Sequence, residues 1–300
     1  MYQVKKISRS EFVPVRSLQY HCRCWGQASP HSVPLLLLHG WMDVAASFQF
    51  VVDALAQEHF IIAPDWRGFG LTASGAVDCF WYPDYLADLD ALLDHYAPAQ
   101  VVNLVGHSMG ANVAMLYGGI RPQRVRRLVN LEGFGLPATQ AEQAPARLLQ
   151  WLDQLKDFHT GQMKLHPYKS LDAVAARLMK TNPRLGPDKA RWLAGHWSIE
   201  VAPGQWQILG DAAHKLINPQ LYRVDETLAI HHQISAPTLV VEAVEDSIVQ
   251  WWRGKFDRAE HRRRLQAVAK LEIAELPDCG HMLHHDQPQA VAALIERFIQ

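Results

Sequence analysis

The sequence predicts an α/β fold: a mostly parallel sheet with helices on both faces, interrupted by a helical insertion. Two observations carry this. Short apolar runs alternate with stretches of helical spacing from residue 33 to 133, and again from residue 236 to the end. Between them, from about Leu136 to Ile230, the alternation stops and the chain becomes amphipathic, helical and punctuated by proline. A chain of 300 residues is long enough to bury a large core.

The elements follow in order. "YQVKKIS" and "SLQYHCRCW" alternate with period two and read as antiparallel strands. "VPLLLL", Val33 to Leu38, is apolar throughout, as a strand covered on both faces must be. In "AASFQFVVDALAQ", Phe48, Val51, Val52 and Leu55 share one helical face. "FIIAPD" is a second buried strand, and "YLADLDALLDHY" is a helix with Leu86, Leu89, Leu93 and Tyr96 in register. Strand "QVVNLVGH", helix "MGANVAMLYGGI" and strand "VRRLVNLEG" complete the first half. After the insertion come strand "APTLVVEAV", a helix over about Phe256 to Ala269, strand "KLEIAEL" and helix "PQAVAALIERFIQ". Residues 1–135 and 231–300 thus read as a core domain and residues 136–230 as a lid. The carboxyl ends of the strands, where open α/β sheets bind ligands, are the natural place for such an insertion.

Composition narrows the function classes. A formal net charge of −1 favours neither nucleic acid nor an anionic membrane. The basic runs "RPQRVRR" and "HRRR" lack interleaved aromatics and read as solvated helix ends and faces, so no nucleic-acid partner is expected. Cys22, Cys24, Cys79 and Cys279 lack zinc or redox spacing and read as free thiols of a reducing compartment. The polar N-terminus does not read as a signal peptide, so none is expected, and the longest apolar run is too short to span a bilayer. A cytoplasmic protein without stable membrane insertion is expected. His159, His166, His196 and His214 show no metal-ligand spacing, so neither metal nor cofactor is expected.

The chemistry centres on "NLVGHSMGAN", where Gly106-His107-Ser108-Met109-Gly110 has the form G-x-S-x-G. The bare pattern arises by chance in roughly one chain of this length in ten. Its setting, after a buried strand and at the start of a helix, is that of a nucleophile elbow. So sharp a reversal forces an unusual backbone at Ser108 and needs small residues two positions away on each side. It also puts the Met109 N–H at a helix N-terminus, where unsatisfied donors favour an anion.

A serine hydroxyl needs a base. Among 16 histidines the best placed is His281, in the loop after the last strand; His284 and His285 are rivals at the approach to the final helix. The imidazole needs an acid. Asp246, past the strand "TLVVEAV", is favoured because it gives the chain order Ser, Asp, His. Glu132, ending "RLVNLEG", is the second candidate and Glu245 the third. An oxyanion needs two donors: the Met109 N–H and the Trp41 N–H after His39-Gly40.

Together these segments resemble the α/β-hydrolase superfamily. "LLLLHGWMD", "FIIAPDWRGFG", "NLVGHSMGAN", "APTLVVEAVED" and "CGHMLHHDQP" occur in the family's order, and "HGWMDVAASF" looks like its serine-hydrolase-like subgroup. The resemblance implies an eight-stranded sheet with a helical lid between strands six and seven. In that family "PDWRGFG" is a structural loop, so Asp65 and Arg67 receive no catalytic role. The chain departs from the pattern at Ala243, where glycine is usual. Serine rather than aspartate at the nucleophile argues against the dehalogenase and epoxide-hydrolase branches.

The expected activity is a serine hydrolase that cleaves a carboxylic ester of a small apolar or aromatic substrate. A carbon–carbon bond hydrolase, a thioesterase or lactonase, and a cofactor-free haloperoxidase-like enzyme could use the same residues. A ligand-binding protein on the fold is the reading from another class. The lid carries Trp151, Trp192, Trp197 and Trp206. His39, Trp41, His107, Phe134 and Trp151 are the expected pocket residues.

Overall fold

The computed structural model describes residues 2–29 and 32–300. Eight strands form one sheet: β1 (Arg9–Val15), β2 (Leu18–Trp25), β3 (Leu35–Leu38), β4 (Ile61–Pro64), β5 (Val102–His107), β6 (Val125–Leu131), and, after the insertion, two more beginning at Thr238 and Leu271. Numbering the insertion's own two strands β7 (Ser198–Ala202) and β8 (Gln205–Ile208), these last become β9 (Thr238–Ala243) and β10 (Leu271–Leu276). The sheet order is β1-β2-β4-β3-β5-β6-β9-β10. The β1–β2 and β2–β4 pairs are antiparallel and the remaining pairs parallel.

Period two decides what covers each face. Along β3, Leu36 and Leu38 join the apolar layer of α2 (Tyr82–Tyr96) and α3 (Met109–Ile120), with Leu89, Leu93, Val113 and Ala114. Leu35 and Leu37 join the opposite layer, with Val51 and Val52 of α1 (Gln49–Val52) and Val291, Ala292 and Ile295 of α11 (Pro288–Ile299). The continuous apolar run is therefore the mark of a strand with helices on both sides. Each fully buried leucine contributes about 1.5–3 kcal/mol.

Between β6 and β9 lie α4 (Ala144–His159), α5 (Leu171–Thr181), α6 (Pro187–Trp197), the antiparallel β7–β8 hairpin and α7 (Val224–His231). Val174, Ala175, Ala190, Leu193 and Ala194 of α5 and α6 pack on Val44, Ala46 and Phe50. By contrast α4 has no buried residue, and its Leu148, Leu149 and Leu152 are exposed. The hairpin was not expected from the sequence. Its signal was present: Pro203-Gly204, with Gly204 at φ +70°, separates two short alternating runs.

Two other elements differ from expectation. Residues 2–8 are not a strand. The backbone N–H groups of Lys5 and Lys6 donate to the Asp53 carboxylate (3.1 and 2.9 Å), so a side chain takes the place of a neighbouring strand. After β9 the chain forms an unexpected short helix, α8 (Ser247–Trp252), before α9 (Arg258–Leu265); α10 (Leu283–Asp286) precedes α11.

The basic runs are engaged locally. Arg124 pairs with Asp94, Arg126 donates to the Ile299 carbonyl, and Arg262 bridges Glu242 and Glu275. All four cysteines are free, and burial pushes the Cys24 thiol up to about 12. Among the described residues, no helix is long and apolar enough to cross a membrane.

Candidate active site

The parallel strands β3, β5, β6 and β9 end at one edge of the sheet, where Leu38 pairs with Gly106, His107 with Leu131, and Leu131 with Val241. Ser108 lies there between β5 and α3, at φ 51° and ψ −116°. Its N–H donates to the Leu131 carbonyl (2.9 Å), and its own carbonyl accepts the first helical bond from Asn112 (3.1 Å). Two glycines make so tight a reversal possible. A Cβ on Gly106 would come within 2.4 Å of the Ala111 nitrogen, and one on Gly110 within 2.1 Å of the Leu38 oxygen. The elbow is thus wedged between its own helix and β3, and its strained backbone is held by packing on both sides.

His281 reaches Ser108 from the turn after β10. The turn is tied down by Gly280, whose N–H donates to Asp286 Oδ2 (3.0 Å). His281 Nε2 is 2.9 Å from Ser108 Oγ, and its Nδ1 is 3.4 Å from Glu132 Oε2. A hydroxyl so placed can lose its proton to the ring, and a carboxylate behind Nδ1 fixes the tautomer that makes Nε2 the acceptor.

Glu132, not Asp246, meets the imidazole. Glu132 follows β6 in a left-handed conformation, φ 57°, and its side chain is only 4% exposed. Asn130 seals the turn: its amide donates to the Gly133 carbonyl (2.8 Å) and accepts from the Gly133 N–H (2.7 Å). Glu132 Oε1 accepts from the Ala243 N–H at the end of β9 (2.7 Å), leaving Oε2 for His281. Chain order favours Asp246, and the structure corrects that expectation. Asp246 is the N-cap of α8, where its carboxylate accepts from the Val249 N–H (3.1 Å). Glu245 pairs with Arg184 of the insertion.

The two expected oxyanion donors are the N–H groups of Met109 and Trp41. Met109 is the first residue of α3, and among the described residues neither its N–H nor that of Trp41 has a hydrogen-bond partner.

The expected pocket residues separate into two groups. Phe134 does stand beside the site, its ring centroid 5.4 Å from that of His281. Trp41 is half exposed at the rim, its indole donating to the His214 carbonyl (3.3 Å). The rings of His39 and His107 are both buried. His39 donates from Nδ1 to its neighbour's carbonyl (Gly40, 2.7 Å) and accepts at Nε2 from the Trp66 N–H (2.9 Å). His107 Nε2–H donates to the His281 carbonyl (2.8 Å), bracing the turn that carries the imidazole. Trp151 is half-buried on α4 and makes no ring contact with His281 among the described residues. Trp251 was missed: its ring stands 5.2 Å from that of His281, on the helix the sequence reading did not anticipate. Burial pushes the His107 and His285 rings well below the usual histidine range, reinforced in each by the neighbouring His284.

The chain resembles known proteins along most of its length. It is 25% identical over 294 residues to the serine hydrolase-like protein of Danio rerio, covering 97% of this chain and 88% of that one. It is 24% identical to a cis-3-alkyl-4-alkyloxetan-2-one decarboxylase of Shewanella oneidensis, covering 89% and 81%. Its fold matches the thioesterase domain from the curacin biosynthetic pathway with a TM-score of 0.81 at 23% identity, covering 97% and 99%. The model of the alpha/beta hydrolase family matches residues 35–294. With the parallel sheet and the elbow between β5 and α3, this places the protein: the chain belongs to the alpha/beta hydrolase family.

Proposed function

We propose that the protein is a serine carboxylic-ester hydrolase that works through an acyl-enzyme. Ser108 Oγ attacks the ester carbonyl while His281 Nε2 takes its proton. The Glu132 carboxylate holds the Nδ1–H and stabilises the imidazolium that forms. The carbonyl oxygen, now an oxyanion, is received by the Met109 and Trp41 N–H groups. His281 returns the proton to the leaving alcohol, then activates the water that cleaves the acyl-enzyme. One observation carries this reading: a serine on a strained, glycine-flanked turn lies 2.9 Å from an imidazole with a buried carboxylate behind it. Phe134 and Trp251 beside His281 favour an apolar or aromatic group on the substrate.

The test is covalent labelling with a fluorophosphonate. Wild type is expected to label, and Ser108→Ala and His281→Ala are not. An unlabelled but folded wild type would favour a ligand-binding protein instead. A panel of nitrophenyl esters, thioesters and lactones then ranks the bond cleaved. The lactone arm is motivated by the relative named for an oxetanone substrate.

A further inference from the structure

Behind the elbow lies a second constellation of polar side chains that the hydrolytic reading does not use. Asp43 comes from the loop after β3, His107 from the last position of β5, and His284 from α10. All three are more than nine-tenths buried. Each also holds a polar atom that makes no hydrogen bond: Asp43 Oδ2, His107 Nδ1, and both ring nitrogens of His284, whose Nε2 meets Asp43 Oδ2 only as a long ion pair. Buried polar groups without partners are costly, and three of them facing one another call for an occupant.

The geometry defines that occupant's chemistry. One donor atom from each residue lies within 4.8 Å of the other two, and His284 Nε2 is 3.9 Å from Asp43 Oδ2. His107 Nε2 must carry the hydrogen, because its partner is the His281 carbonyl. Nδ1 of the neutral ring is therefore a bare lone pair. Asp43 Oδ1 accepts from the Ser47 hydroxyl (2.7 Å), which in turn meets His285 Nε2 (2.7 Å), leaving Oδ2 free. Both would-be ligands are thus oriented by outer hydrogen bonds to a carbonyl and a hydroxyl, as metal-binding side chains characteristically are.

We propose that Asp43, His107 and His284 form a buried three-ligand site for a divalent transition metal such as zinc, with a fourth position open. Two imidazole nitrogens and one carboxylate oxygen suit zinc, cobalt or nickel better than magnesium or calcium, which prefer oxygen ligands. Metal–ligand bonds of about 2.0–2.2 Å require the three donors to draw together. His284 lies three residues beyond His281, and His107 precedes Ser108 and holds the His281 carbonyl. Occupancy therefore pulls on both ends of the Ser108–His281 pair and slows reaction at Ser108.

The site could not be read from sequence spacing, because its ligands come from three distant segments.

The test is direct metal binding. Chelator-stripped protein is titrated with cobalt(II) and followed by its visible absorption, then by zinc competition and equilibrium dialysis. One tightly held equivalent per chain with the intense spectrum of a low-coordinate site is expected. Asp43→Asn and His284→Leu should each weaken binding by at least roughly a hundredfold, the upper end of what losing an outer-shell partner costs. Two such variants guard against one failing to fold, which circular dichroism checks. His159→Ala, which removes the exposed His159–Asp78 pair, should change nothing. Stoichiometric zinc should also slow fluorophosphonate labelling in wild type but not in Asp43→Asn. Three results would overturn the proposal: no uptake at micromolar metal, uptake unaffected by both core variants, or uptake lost with His159→Ala. Failure of the metal-free protein to label would count against the hydrolase reading alone.

Discussion

The ends of β6 and β9 invite comparison. They are adjacent parallel strands, and each is followed within three residues by an acid at the edge where Ser108 lies. After β6 the chain turns back on itself. Asn130 clasps Gly133, the backbone at Glu132 becomes left-handed, and the carboxylate folds inward between the Ala243 N–H and His281. After β9 the chain runs straight into a helix, and Asp246 caps that helix. An acid at a strand end is therefore not enough; the backbone that follows decides which way it faces.

The largest expected effect separates these two acids. In Glu132→Gln the amide oxygen can keep the Ala243 N–H while the NH₂ faces His281 Nδ1. That stabilises the tautomer with hydrogen on Nε2, which cannot accept the Ser108 proton. A loss of roughly 10³–10⁴-fold in kcat is expected by analogy with the asparagine variant of a serine-protease triad, equivalent to about 4–5.5 kcal/mol. Asp246→Asn should keep activity within a few-fold. Steady-state ester hydrolysis by both variants checks the contrast, and equal losses would break it.

Next comes the turn that sets Glu132's direction. Asn130→Ala removes both bonds to Gly133 and leaves a buried N–H without a partner. Destabilisation of about 1–3 kcal/mol is expected in urea unfolding. Activity should also fall, because the carboxylate loses its support. If stability falls while turnover holds, the turn does not orient the acid.

Asp246 should then show itself in stability. Asp246→Ala deletes the cap of α8 and should cost about 1 kcal/mol. Since α8 also carries Trp251 against His281, a modest rise in KM for aromatic esters should accompany it.

The same contrast explains what was legible. Ser108 could be read because an elbow is local: its strand, glycines and helix lie within a few positions of one another. The apolar runs β3 to β6 were legible because burial on both faces leaves no polar residue among most of their positions. Choosing Glu132 over Asp246 required the Ala243–Glu132 bond across two strands, and no spacing encodes that. Chain order favoured Asp246, although Asp246-Ser247 ahead of an apolar pair was itself a helix-start signal. Residues 2–8 alternate like a strand, but Asp53 receives the N–H groups of Lys5 and Lys6 and nothing in their own sequence announces it.

The smallest expected effect lies at the rim, where Glu245 meets Arg184. Both side chains are well exposed, 46% and 38%. Solvent and the entropy of two long side chains leave such a pair worth about 0–1 kcal/mol. Arg184→Ala should thus shift the urea midpoint barely at all, and Glu245→Ala should match it. Arg184 borders Gly280, the residue before His281, and Asn182 two positions earlier donates to Asp286 (2.7 Å), which holds the Gly280 N–H. The insertion touches the His281 turn through Asp286, which is half-buried, and at the more exposed rim through Glu245. Asn182→Ala should therefore lower turnover more than Arg184→Ala does, and kcat for the two variants on one short ester decides it. A larger loss from Arg184→Ala would return the end of β9 to the site.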